Sequence, residues 1–142
     1  MSMGKFIPVF NASQILGDLK KHDKEVLEKA VEIFKYSGEG FVNNSRNLRT
    51  YKDRTGNLRS SIGYMILVNR KRVQESFPGD KAVGKAEGRK EAARLTGTDK
   101  GIVIVGVAGM EYGRDVEARG YDVITGPGEQ AQLVISELVG RL

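Results

Sequence analysis

The stretch Gly79-Asp80-Lys81-Ala82-Val83-Gly84-Lys85-Ala86 matches the phosphate-cradling pattern GxxxxGK up to its last position. In that pattern backbone N–H groups wrap the phosphates, the lysine reaches the outer one, and a Ser or Thr hydroxyl holds magnesium. Ala86 has no hydroxyl, so the metal ligand is missing. Such a loop must also leave a buried strand and open a helix. Residues 75–78 do not read as a strand, and Gly88 interrupts the segment beyond the loop. The segment therefore reads as a flexible basic loop. Gly106 and Gly109 do not complete the GxGxxG of a dinucleotide turn, and no βαβ unit surrounds them. Asp115, Glu117 and Asp122 lie within eight residues of one another but read as a solvated face. His22 is the single histidine and there is no cysteine, so neither a thiolate nor an imidazole metal cluster can form. No nucleophile, base and oxyanion donor come together. The sequence assigns no catalytic, cofactor-binding or metal-binding residue, and the chain reads as no enzyme, with no cofactor.

Charge carries more information. The net charge is +5 over 142 residues. Residues 43–72 hold eight Lys and Arg against one Asp, while 101–142 hold three against six acidic residues. The excess is thus one band: Arg46, Arg49, Lys52, Arg54, Arg59, Arg70, Lys71 and Arg72, with Tyr51 and Tyr64 among them. Such a mixture suits phosphate contacts with occasional stacking. It equally suits pairing with the acidic C-terminal third, Glu111, Asp115, Glu117 and Asp122, of a neighbouring copy. Opposite bands on one small chain favour the second reading, a homo-oligomer that closes into a ring.

The elements that must position these residues come from periodicity. Asn11 reads as a helix cap with Gln14 reaching back, and Phe10 as a staple on Ile15. Ile15, Leu19, Val26, Ala30, Ile33 and Phe34 recur at helical spacing, with Leu16, Leu27 and Val31 beside them. This predicts one long helix running towards Asn47, weakened at Gly17 and at 38–40. Asp53 to Gly56 form a turn, and Leu58, Ile62, Tyr64, Ile66 and Val68 share one face of a strand. Residues 69–100 lose apolar periodicity, which predicts a long basic loop with at most a short helix over 87–95. The β-branched run 102–107 predicts a central strand buried on both faces. A short helix over 112–118, a short strand over 121–125 and a terminal helix with Pro127 at its first position complete the order. The expectation is a single α+β domain over 1–142, its long N-terminal helix and C-terminal helix packed on a small, mainly antiparallel sheet. No apolar run reaches the length that spans a bilayer, so no membrane contact is expected.

Residues 51–64, Tyr-Lys-Asp-Arg-Thr-Gly-Asn-Leu-Arg-Ser-Ser-Ile-Gly-Tyr, resemble the TGNLRxSI signature of a family of tail-component proteins from long-tailed bacteriophages and prophages. The second block of that family, an aromatic followed by Val-Glu and a glycine, resembles 112–124, with Tyr112, Val116, Glu117 and Gly120. The likeness covers roughly residues 20–142. Lys52-Asp53-Arg54 stands where many relatives have a proline. The resemblance implies a virion protein of the head-tail junction or tail terminus, a head-tail connector or tail completion protein. It would act as a ring of identical subunits among other neck and tail proteins, assembled in the host bacterial cytoplasm. The alternative is a small basic nucleic-acid-binding module using the band, with non-specific contact to DNA.

Overall fold

A computed structural model describes residues 24–47, 56–95, 101–108 and 125–141 of the 142. The elements are α1 (Lys24–Asn47), α2 (Asn57–Ser60), β1 (Ile62–Val68), β2 (Lys71–Ser76), α3 (Ala82–Leu95), β3 (Ile102–Ala108) and α4 (Thr125–Val139). The strands form one antiparallel sheet in the order β2-β1-β3. The fold is α+β, as expected.

Because side chains alternate along a strand, β1 and β3 each feed two cores. Ile62, Tyr64 and Ile66 of β1 and Ile102, Ile104 and Ala108 of β3 point to one face. There they meet Ala30, Phe34, Phe41 and Val42 of α1 and Ala131, Ile135 and Val139 of α4. Met65, Leu67, Val103, Val105 and Val107 point to the other face, where Phe77 and Ala92 close a second cluster with Leu95 at its edge. The result is three layers: α1 with α4, the sheet, then α3. Each fully buried Ile or Phe contributes about 1.5–3 kcal/mol.

Glycines set the close approaches between the layers. A Cβ on Gly38, in the middle of α1, would fall 2.7 Å from the Tyr64 ring, and one on Gly106 would fall 2.9 Å from Phe41. The glycine that weakens α1 locally is the one that lets it settle on the sheet.

Four expectations need correction. The strand starts at Ile62, because Asn57–Ser60 winds into a helical turn; Leu58 still reaches the first core. The region 69–100 is not a long loop over its described part, since it holds β2 and the fourteen-residue α3. The β-branched run 102–107 is buried on both faces, yet β1 is the central strand among those described. Helix α4 begins at Thr125, two residues before Pro127. The expected helix start at 10–14, the turn residues 53–55, the short helix over 112–118 and the strand residues 121–124 lie outside the described residues.

Candidate interaction surface

The described residues of the basic stretch fall into two groups. Arg46 and Arg59 lie before β1 and are half-buried; Arg70, Lys71 and Arg72 come after it and are exposed. Seven strand residues separate the groups, about 20 Å or more at 3.3 Å per residue. Arg49, Tyr51, Lys52 and Arg54 lie outside the described residues, as do Glu111, Asp115, Glu117 and Asp122.

Before β1, the described part of the signature forms a junction. Gly56 has φ +76°, a left-handed conformation natural to glycine. Leu58 is fully buried. The Arg59 Nε donates to the Arg46 carbonyl oxygen at 3.2 Å, at the end of α1, where the last carbonyls have no intrahelical partner. A guanidinium there also faces the negative end of the helix dipole. Ser60 Oγ accepts from the Lys81 N–H at 3.1 Å, one residue before α3 begins. Ser61 Oγ donates to the Leu58 carbonyl at 2.6 Å and tightens the turn, and Ile62 opens β1 in the core. The segment 56–62 is a joint between the end of α1, the start of β1 and the start of α3.

This joint explains the GxxxxGK stretch. A Cβ on Gly79 would fall 2.4 Å from the Ser60 Cα, one on Gly84 2.2 Å from the Asn57 oxygen, and one on Gly88 2.4 Å from the Ser61 oxygen. The three glycines form a seat for the signature turn. The stretch follows β2, which reaches Ser76 contrary to expectation but is an exposed edge strand where the pattern needs a buried one; it opens α3, where Gly88 packs inside the helix instead of breaking it. The helix start is occupied by Ser60. Beside it, Phe77 fills the space left by Gly63 and Gly88, with the Arg89 guanidinium 5.6 Å above the ring. Glu91 is buried on α3 and paired with Arg94, whose guanidinium it holds above its ordinary pKa.

After β1, the two-residue hairpin turn has Asn69 at φ 48° and Arg70 at φ 73°. Positive φ at both positions suits the right-handed strand twist and is ordinary for Asn, but it strains Arg. The turn is anchored: the Asn69 N–H donates to the Gly101 oxygen at 2.9 Å, and the Gly101 N–H to Asn69 Oδ1 at 3.0 Å. The register skips Val73 between Ile66 and Leu67, a bulge that leaves Val73 49% exposed.

Alongside the hairpin lies an open groove of about 920 Å³. Leu27, Val31 and Ile33 of α1 and Val68 and Val73 of the hairpin line it, with Glu25, Glu28, Lys29 and Glu32 at the rim. The helical period turns Leu27 towards the core, but it is 38% exposed. Tyr64 ends in a hydroxyl with no hydrogen-bond partner among the described residues. Burial raises its pKa above 10.0, the nearby Glu39 carboxylate adds to the rise, and Gln74 opposes it. Among the described residues no three His, Asp or Glu side chains converge on a metal-sized site, and no helix is long and apolar enough to cross a membrane.

Compared with known proteins, the chain matches no protein-family model, no curated protein and no solved structure.

Proposed function

We propose that this chain is a structural, non-enzymatic virion protein of a long-tailed bacteriophage or prophage, working at the head-tail junction or tail terminus as a ring of identical subunits. The reading rests on the segment 51–64 and its likeness to the TGNLRxSI signature. The geometry of 56–62 supports it in one respect: Gly56, Leu58, Arg59, Ser60, Ser61 and Ile62 all build the joint. A motif of that kind maintains a scaffold and needs no substrate. The ring contact would join the basic residues to the acidic C-terminal third of the next subunit.

The nucleic-acid reading retains one observation, the exposed Arg70, Lys71 and Arg72. Against it stands Arg59, whose guanidinium is engaged with α1. Light scattering over a concentration series, alone and with candidate neck and tail proteins, separates the two. The virion reading expects self-association or a defined complex. A strict monomer that ignores every such partner but binds duplex DNA, with affinity falling steeply with salt, would replace it by the nucleic-acid module.

A further inference from the structure

The groove beside α1 has an apolar floor of Leu27, Val31, Ile33, Val68 and Val73, and Leu27 and Val73 are open to solvent. It exists because α1 packs on β1 and β3, and the edge strand β2 lies beyond it. Charges stand only at its rim, so whatever fills it is apolar along its length. Three stretches of this chain run ten residues or more without a charge. Residues 60–69 contain β1 and residues 101–110 contain β3, the two strands that build both cores. The third and longest is 6–17, with Phe6, Ile7, Val9, Phe10, Ile15 and Leu16, and six residues separate it from the start of α1 at Lys24. Such a stretch gains by leaving water, and so does the groove.

We propose that residues 6–16 of the same chain fold back into this groove and cover Leu27 and Val73. The reversal falls over 17–23 and begins at Gly17, a poor helix former. Those seven residues reach up to about 23 Å at 3.3 Å each. The α1 side of the groove, Glu25 to Ile33, is about 12 Å long at 1.5 Å per residue, so the tether is long enough. The tether also selects the occupant. It holds the stretch beside the groove at an effective concentration on the order of millimolar, which a second copy or another protein matches only when abundant. This contact stands apart from the virion reading, since it uses no residue of the 51–64 signature and no neighbouring subunit.

The chain has no tryptophan, so a single one reports on its own surroundings. The test is Phe10→Trp in the full chain, read by emission wavelength and acrylamide quenching over a dilution series, with circular dichroism to confirm folding. Phe6→Trp takes its place if that variant does not fold. The expected emission is blue-shifted and quenched severalfold less than that of the same protein in urea, at every dilution. Adding Val73→Asp puts a charge on the groove floor at an exposed position, and should move emission and quenching to the urea values. Val83→Asp, equally exposed but on α3, should change neither. Emission typical of water in the folded full chain overturns the proposal. Protection that Val73→Asp leaves untouched overturns it as well, because the stretch is then covered elsewhere. So does protection that fades on dilution, which gives the groove to a second copy.

Discussion

The turn that enters β1 and the turn that leaves it are both basic, and they differ in what their side chains are attached to. Arg59, before the strand, gives its guanidinium to the end of α1, and its neighbours Ser60 and Ser61 give their hydroxyls to the backbone. Arg70 and Lys71, after the strand, are held in place by the Asn69–Gly101 pair and face solvent. Thirteen residues separate Arg46 from Arg59, yet the fold joins them; eleven separate Arg59 from Arg70, and the strand keeps them apart. A run of charge in sequence is therefore not a surface. The strand beyond the joint divides the run into a half-buried part that holds the fold and a part exposed on the hairpin.

That division breaks most severely at the glycine seat. Gly84→Ala or Gly88→Ala puts a Cβ within 2.2–2.4 Å of backbone oxygens of the joint, and neither helix can yield cheaply. A loss of about 3 kcal/mol is expected in urea denaturation. Next comes Arg59→Ala, which leaves the α1 end without its donor and should cost about 1.5–2 kcal/mol. Ser60→Ala removes the acceptor at the start of α3 and should cost about 1 kcal/mol. Equal losses for Arg59→Ala and Lys71→Ala would erase the contrast, because the exposed lysine should change stability by less than about 0.5 kcal/mol.

Tyr64 adds a pH test of the core beside the joint. Its phenol titrates near 10 when unfolded and higher when folded, so the native state holds the proton more tightly. The stability this provides is fully present below pH 10 and is lost as pH rises from 10 through the folded pKa. Tyr64→Phe should remove this term from the alkaline loss of stability. At pH 7 it should cost less than about 0.5 kcal/mol, since the buried hydroxyl has no hydrogen-bond partner among the described residues. Denaturation midpoints of both proteins at neutral and alkaline pH give the comparison.

The sequence shows β3 through its β-branched run, and β1 and the helix over 24–47 through plain apolar periodicity: Ala30 and Phe34 recur at helical spacing, and Ile62, Tyr64 and Ile66 at strand spacing. It hides β2 and α3, for physical reasons. The edge strand exposes Lys71, Arg72 and Val73, so it carries no alternating pattern. The buried face of α3 is built from Gly84, Gly88, Ala92 and the paired Glu91, residues that look like loop in sequence and pack only because the signature turn lies against them. The same blindness applies to the candidate surface. Arg59 reads as one more exposed cation, and nothing local reveals that a carbonyl thirteen residues earlier will take it. The apolar groove is equally invisible, since Leu27 carries the helical period of the core and yet faces out.

The most direct measurement for the virion reading is to locate the chain in purified phage particles from a strain that carries its gene, by mass spectrometry and antibody labelling. The account predicts a few copies per particle, labelled at one place, the head-tail junction or the end of the tail. A protein absent from particles and recovered with cellular nucleic acid would contradict it.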